Sequence, residues 1–423
     1  MFTLKEIIKA DKLAVFHIDE CSQLDIKWVW YLHLRLCQVT GQKDYPFGGV
    51  IIIFSGDFAQ NANIGGDKIY DGMMRFASGN PGNLHSTIVW DACRTLAAFK
   101  TIVLDKIVRS AKDLDHCKMV TKLATGGSPS MDDIKNIKQY SQQDVEEDPS
   151  WINATWTVTT NQERLQVGYE RAISWAKTHG LPLNRWRRIP MNPDDNALLL
   201  ADINSDDPCL WELYVPGIIG YLRTIMNTDM KLTNGSFVIY DSLTFQSQAM
   251  SDDVRFRLKQ ALPGEFVTLQ EPPLFLHVRP VDKESARRLG IVQDESHMGD
   301  WNCCQGQPAD VFGPSSKRTN VVVPLLPGKY CEHAKYHIKG RKDGAMVELW
   351  LRASFAVIMA LCMTADKMQG ITLAKVVLTL APRVQTICNF THARFLVAFS
   401  RVRSGNDLQA IFPRNASNEI DYE

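Results

Sequence analysis

The chain has 423 residues, too many for one ordinary core, so two or three domains are expected. Hydrophobic residues at 45% and charged residues at 22% are the proportions of a soluble globular protein, and the apolar stretch near Ala353–Met363 is far short of a membrane span. The 47 basic and 47 acidic residues cancel, which excludes binding through a generally cationic surface and leaves nucleic-acid contact to a local basic stripe.

In chain order, Leu13–Ile18 (LAVFHI) reads as a strand that runs into Asp19-Glu20. Asp25 to Val39 has apolar residues at helical spacing, and its stripe of Trp28, Leu32, Leu36 and Val39 is expected to face a core. Val50–Ser55 (VIIIFS) is a second strand, running into Gly56-Asp57-Phe58-Ala59-Gln60. Thr101–Leu104 reads as a short strand, followed by Arg109 and a helical stretch that ends near Gly126-Gly127. The polar, acidic residues 128–152 read as a surface connection. Trp156–Thr160 is the next strand, and Asn161 has the chemistry to cap a helix reaching about Lys177.

Residues 180–210, rich in Pro, Asn and Asp, read as a long loop, and Val215–Tyr240 as paired strands around Asn234-Gly235. Short strand-like runs with Gly and Pro over 241–350 fit a small β-barrel-like insert. A helix through Thr364, a strand at 376–380, a helix at 391–403 and a strand at 408–412 complete an α/β pattern without internal repeats.

Short apolar runs flanked by turn residues suit strands buried on both faces of a parallel sheet. Ligands on such sheets bind outside the carboxyl ends of the strands, so neighbouring strands would aim Asp19, Glu20, Asp57 and Gln60 at one crevice. One carboxylate holding a metal through water, another acting on an attacking water and an amide sensing a γ-phosphate make a nucleotide-and-magnesium site. The alternative is that DE and GD simply cap strands at turns. Arg185-Trp186-Arg187-Arg188 mixes an aromatic ring with basic residues, which suits stacking a base and holding phosphates, or equally a solvated loop. Ten cysteines without regular spacing, and no signal peptide, imply free thiols in a reducing, intracellular compartment. Cys303, Cys304, Cys331, His333 and His337 have zinc-ligand types but no C-x-x-C pair.

The strings HIDECSQL (17–24), PFGG (46–49), SGDFAQ (55–60), VTTNQERLQVGYERA (158–172), LTNGS (232–236), MTADKMQGITL (363–373) and FLVAFSRVRS (395–404) occur in an order that resembles the Pif-type DNA helicases. That family belongs to the RecD-like, 5′-to-3′ branch of helicase superfamily one. The resemblance touches most of the chain except roughly residues 240–350.

The resemblance implies ATP and Mg²⁺ as cofactors, single-stranded and forked DNA as partners, and work in DNA repair, recombination or telomere maintenance, in a nucleus or mitochondrion if the source is eukaryotic. It implies Mg²⁺ held by Asp19 through water, Glu20 acting on the attacking water, and Gln60 coupling the γ-phosphate to the DNA side of the cleft. Arg109 would contact phosphate, and Arg401 would be the finger on the γ-phosphate. Asp57, Lys367, Gln369 and Gly370 would line the nucleotide side, and Thr160, Asn161 and Thr364 would meet the DNA backbone.

The chain departs from the family pattern at several points. Gln60 is followed by Asn61-Ala62-Asn63-Ile64 in place of Leu-Pro-Pro-Val, a loss of two prolines that should loosen the loop. Asp366 replaces the usual His and would repel a phosphate, and Met368 replaces Ser.

The implied fold is α/β, with two RecA-like P-loop NTPase lobes, the first incomplete, and a β-barrel-like insert in the second. It maps onto 1–104 for the first lobe, 105–240 and 351–423 for the second, and 241–350 for the insert. No G-x-x-x-x-G-K-[ST] string occurs, and the eighteen residues ahead of Asp19 are too few for the elements that should carry it. The expectation is an amino-terminally truncated helicase with weak or absent ATPase activity and apolar surface left bare on its first domain. The rival readings are a catalytically inactive remnant that binds single-stranded DNA or a partner protein, an unrelated P-loop nucleotidase, and a mobile-element replication protein. The resemblance also implies that Glu20 and Arg401 serve one cleft between lobes.

Overall fold

The computed structural model describes residues 15–61, 66–78, 87–104, 106–191, 205–226, 232–281, 322–328, 330–337, 346–381, 390–414 and 420. The chain divides into two compact units. Unit 1 comprises Met1–Ala111, Cys117–Ser128 and Thr391–Val397, and unit 2 comprises Lys112–His116, Pro129–Phe390 and Ala398–Glu423.

In unit 1, strand β1 (Val15–Ile18) pairs in parallel with β2 (Ile51–Phe54), Val15 opposite Ile51 and Ile18 opposite Phe54. Between them runs helix α1 (Ile26–Thr40). Its first turn is capped by Asp25, whose side chain accepts from the Lys27 N–H, and it stops at Gly41, at φ 75°. Ile26, Val29 and Leu36 of α1 form a core with Phe47, Ile69 of α2 (Ile69–Ala77), and Val89, Ala92 and Cys93 of α3 (Thr87–Ala97). Ile52 and Phe54 pack onto this core from one face of β2.

Three sequence expectations fail here. The strands are not buried on both faces: Val15, Ile51 (60% exposed) and Ile53 face outward, because no second layer covers that side of the pair among the described residues. Thr101–Leu104 forms no strand, and Ile102, Val103 and Leu104 are exposed. Trp28 is not core but 62% exposed. With Ile26, Val29, Leu36 and Cys37 turned inward, the 100° step of the helix puts Trp28 on the opposite side, where it meets Tyr31 edge-on.

Helix α4 (Leu114–Ala124) follows Arg109. Unit 2 is organised by a five-stranded parallel sheet in the order β16 (Cys362–Thr364), β4 (Thr155–Val158), β17 (Val376–Thr379), β18 (Leu408–Ile411), β3 (Lys138–Gln139). Strands β4 and β17 are buried at every position, as suits central parallel strands covered on both faces.

The polar stretch 128–152 is therefore more than a surface connection. It contains helices α5 (Met131–Lys135) and α6 (Gln142–Glu147) and places β3 beside β18. Asp144 is buried there, taking bonds from Ser141 and Gln409 and a salt bridge from Lys138, and its carboxyl is lowered to about 2, although its own burial works in the other direction.

The rest of unit 2 is mostly antiparallel. After helix α7 (Asn161–Thr178), strands β5 (Leu183–Arg187) and β6 (Ile189–Pro190) fall within the long loop expected over 180–210, and β7 (Trp211–Tyr214) follows it. Strands β8 (Ile219–Leu222) and β9 (Phe237–Thr244) are the pair expected around Asn234-Gly235. Helix α8 (Gln248–Gln260) is followed by β10 (Phe266–Thr268), β11 (Phe275–Pro280), β12 (Val323–Leu325), β13 (Tyr330–His337), β14 (Met346–Ala353) and β15 (Val357–Met359). They form sheets ordered β10–β5–β7, β12–β11–β9–β8–β15 and β13–β14–β6.

The expected helix through Thr364 is instead strand β15, strand β16 and the short helix α9 (Ala365–Met368). Helix α10 (His392–Phe399) ends before the Arg401–Ser404 segment. The charged triad of unit 2 centres on Glu332, which accepts from Arg164 Nη2 and Arg223 Nη1 at 2.6 Å each, with Arg164 and Glu332 both buried. Among the described residues no helix is long and apolar enough to cross a membrane.

Candidate functional site

In unit 1 the parallel pairing of β1 and β2 brings their carboxyl ends side by side, Ile18 against Phe54. The chain leaving β1 turns at once, with Glu20 at φ 52°, a left-handed conformation that a non-glycine residue adopts only when its surroundings hold it. Here they do. Asp19 Oδ1 accepts from the Glu20 N–H at 2.9 Å, and the Cys21 N–H donates to the Ser55 carbonyl at 2.9 Å. Gly56 makes the approach possible, since a Cβ there would come within 2.9 Å of both Cys21 N and Cys21 Sγ.

Ser55 Oγ donates to Asp19 Oδ1 at 2.6 Å and lies 2.8 Å from His17 Nε2. That hydroxyl is the main reason the Asp19 carboxyl sits below its usual range, with the Glu20 N–H and His17 acting in the same direction and partial burial opposing them. Both bonds fall on Oδ1. An exposed carboxylate whose hydrogen bonds from Glu20 and Ser55 both fall on one oxygen fits a Mg²⁺ ion held through water.

The loop beyond β2 adds the other two groups. Asp57 Oδ1 accepts from the Ala59 N–H and Oδ2 from Gln60 Nε2, each at 2.9 Å, so Asp57 shapes the turn and aims the Gln60 amide. The structure thus gathers Asp19, Glu20, Asp57 and Gln60 at adjacent strand ends. Arg109 belongs to the same unit and lies half-buried in the turn ahead of α4. The residues expected to loosen the loop after Gln60 include 62–64, which lie outside the described residues.

In unit 2 the ends of β4 and β16 are likewise adjacent, Thr364 opposite Val158. Thr160, not Asn161, caps α7. Its side chain accepts from the Glu163 N–H at 3.1 Å, and Glu163 Oε2 in return accepts from the Thr159 and Thr160 N–H groups. Asn161 is therefore the exposed first residue of the helix. Thr364 is buried at the start of α9, Lys367 is exposed one turn later, Gln369 is half-buried, and Gly370 turns the chain at φ 77°. Met368 is fully buried and its Sδ accepts from Thr157 Oγ1 at 3.0 Å, which shows why an apolar side chain stands at this position.

Arg401 is 2% exposed. Its guanidinium reaches the Met368 and Ile371 carbonyls at 3.5 and 3.4 Å and donates to Ser400 Oγ at 2.6 Å, while its own carbonyl accepts from the Leu373 N–H at 2.9 Å. The Arg401 segment is thus tied to residues 368–373.

The stacking role expected of Trp186 is overturned. Its ring is 1% exposed, edge-on to Phe355, with Nε1 donating to Ser354 Oγ at 3.3 Å. Alternation along β5 is the cause, because Trp186 points inward and Arg185 outward. Arg185 is itself engaged, lying between the Trp211 and Phe266 rings at 4.2 and 4.7 Å and donating to Thr268 Oγ1 and the Tyr169 hydroxyl. Of the suspected zinc set, Cys331 is exposed with Sγ 3.3 Å from Met191 Sδ. Cys303 and Cys304 and the side chains of His333 and His337 lie outside the described residues, and no metal-binding cluster occurs among those described.

Asp113 carries no motif signal that sequence reading singled out, and Ser55 and Gly56 lie in the SGDFAQ string without a role having been read from them. Gly56 could have been found, since a Gly-Asp step directly after a buried-type strand signals a tight turn.

No protein-family model matches the chain, and no curated protein matches it. Solved structures do, among them Pif1 helicases. A structure of two coordinating Pif1 helicases at forked dsDNA covers 99% of this chain and 74% of its own, at TM-score 0.53 and 14% identity. Bacteroides Pif1 with ADP-AlF3 and ssDNA covers 100% and 76%, at TM-score 0.51 and 15% identity. Bacteroides Pif1 bound to ssDNA covers the same shares, at TM-score 0.51 and 14% identity. The likeness establishes a mixed α/β fold with parallel sheets, matching the RecA-like architecture of these helicases.

Proposed function

We propose that this chain carries the motor of an ATP-dependent DNA helicase of the Pif type, moving 5′ to 3′ along a single strand. The observation that carries the reading is the gathering of Asp19, Glu20, Asp57 and Gln60 at the ends of two adjacent parallel strands. The ADP-AlF3 and ssDNA bound by the structural neighbours support it.

Asp19 would hold Mg²⁺ through water, and the ion would neutralise charge on the phosphates. Glu20 orients the attacking water and takes its proton, and Gln60, aimed by Asp57, senses the γ-phosphate. Arg109 and Arg401 spread the charge of the transferring phosphoryl group. Arg401 must first leave the Met368 and Ile371 carbonyls, whose separations are at the long limit of hydrogen bonding and cost little to exchange. Asn161, exposed beside Thr160 and Thr364 at neighbouring strand ends, meets the DNA backbone, Lys367 faces the nucleotide, and Asp366 keeps the DNA contact weak.

The test is Mg-ATP hydrolysis with and without single-stranded DNA. Glu20→Gln should lower kcat by about 100-fold or more while nucleotide binding persists, and a duplex with a 5′ tail should be unwound in preference to one with a 3′ tail. A protein that neither binds nucleotide nor responds to single-stranded DNA overturns the proposal. The second reading, a protein that binds single-stranded DNA without turnover, is favoured by the burial of Arg401. DNA affinity without hydrolysis identifies it.

A further inference from the structure

Asp113 lies outside the strand-end clusters, yet it is tied to the segment that carries Arg401. Its Oδ1 accepts from the His116 N–H at 3.0 Å, capping the start of α4. Its Oδ2 accepts from Ser404 Oγ at 2.7 Å and from the Gly405 N–H at 2.9 Å. The same three donors, His116 first, hold its carboxyl down to about 2, so the group is an anion at neutral pH. One carboxylate therefore joins a helix start to the turn that follows Arg401.

The other end of that segment is held from the same helix. His116 is buried, and its ring stacks on Phe399 with centroids 4.9 Å apart and 23° between planes. Between these two anchors lies Arg401, whose carbonyl accepts from Leu373 N–H. Bonds from a backbone N–H and a hydroxyl to an ionised carboxylate are the strong, directional kind. Loss of the Oδ2 acceptor would free the turn at 404–405 without emptying any core.

We propose that Asp113 is a positioning residue, whose carboxylate fixes the Ser404–Gly405 turn and thereby sets how Arg401 presents its guanidinium to the phosphate. The proposal rests on the role given to Arg401 above. A plain helix cap would also use Asp113, and an isosteric change separates the two. Asp113→Asn keeps one carbonyl oxygen for the His116 N–H but puts an amide nitrogen, which cannot accept, toward Gly405.

The experiment is amide hydrogen exchange on the whole chain, read at Gly405, at Leu373 and along α4, together with steady-state ATP hydrolysis. Asp113→Asn should speed exchange at Gly405 and Leu373 by tenfold or more and leave α4 unchanged. It should lower kcat at least tenfold with KM for ATP held within twofold, and Asp113→Glu should restore part of kcat. Unchanged exchange at Leu373 overturns the proposal, as does faster exchange confined to α4. If the parent protein turns over no ATP, the helicase reading is what fails, and exchange at Leu373 still decides whether Asp113 holds Arg401 in place.

Discussion

Glu332 offers a sharp test of how unit 2 is held together. Its two oxygens take guanidinium donors from Arg164 and Arg223 at 2.6 Å each, and both Glu332 and Arg164 are 4% exposed. At such contacts the charge centres are about 4 Å apart, worth about 4 kcal/mol per pair at an effective dielectric of 20, and most of this offsets the desolvation of the ions. Glu332→Ala removes the offset and leaves the Arg164 guanidinium buried and uncompensated. The expected cost is about 3–5 kcal/mol, or a fall in melting temperature of roughly 6–20 °C for a unit of this size. Urea denaturation followed by far-ultraviolet circular dichroism measures it. Replacing Arg164 and Glu332 together by Met should recover most of the loss, since the one guanidinium then left without a carboxylate, Arg223, is about a quarter exposed and keeps the Cys331 carbonyl. A cost below about 1 kcal/mol for Glu332→Ala would show that water reaches the triad and would refute the reasoning.

Three further outcomes follow from the same geometry. Trp186→Ala should destabilise unit 2 by about 3–5 kcal/mol, whereas Trp28→Ala on the open side of α1 should stay within about 0.5 kcal/mol, both read by thermal melts. Gly56→Ala should cost about 1–3 kcal/mol, because the new methyl meets Cys21 at 2.9 Å, and proteolysis of unit 1 should speed up accordingly. The Asp113 carboxyl is lowered on folding, so its contribution is complete above the usual 3.8 and is lost as pH falls toward about 2; protection of the Gly405 amide should fade across that window and stay flat above it.

Local chemistry was legible in the sequence where one element decides its own form. The helix read over Asp25–Val39 and the acidic ends of β1 and β2 stand where the residues indicate. Partners distant in sequence were not legible. Residues 128–152 look like solvent-exposed linker until β3 is seen beside β18, and Asp144 is buried only because Lys138 and Gln409 reach it. Arg185-Trp186-Arg187 reads as a basic loop because alternation with only one apolar side chain is too short a signal, and its pairing with Trp211–Leu213 supplies the missing evidence. The α1 stripe was misjudged only at Trp28: Leu36 lies in the core with Leu32 and Val39 packed against it, and Val29 takes the inward place beside Ile26, which docks against Gly72. At the candidate site, the acids and Gln60 were readable from type and spacing, but the burial of Arg401 depends on a turn thirty residues away and could not be.

The sheet of unit 2 also sets a timetable for biosynthesis. Among the described residues its edge strand β3 pairs only with β18, roughly 270 residues further along, and the central β4 waits for both β16 and β17. At about 5–20 residues per second, a ribosome leaves Lys138–Gln139 without its neighbour for roughly 15–55 s. For most of that interval the buried strand Thr155–Val158 also lacks its neighbours, because Cys362–Thr364 and Val376–Thr379 emerge only shortly before Leu408–Ile411.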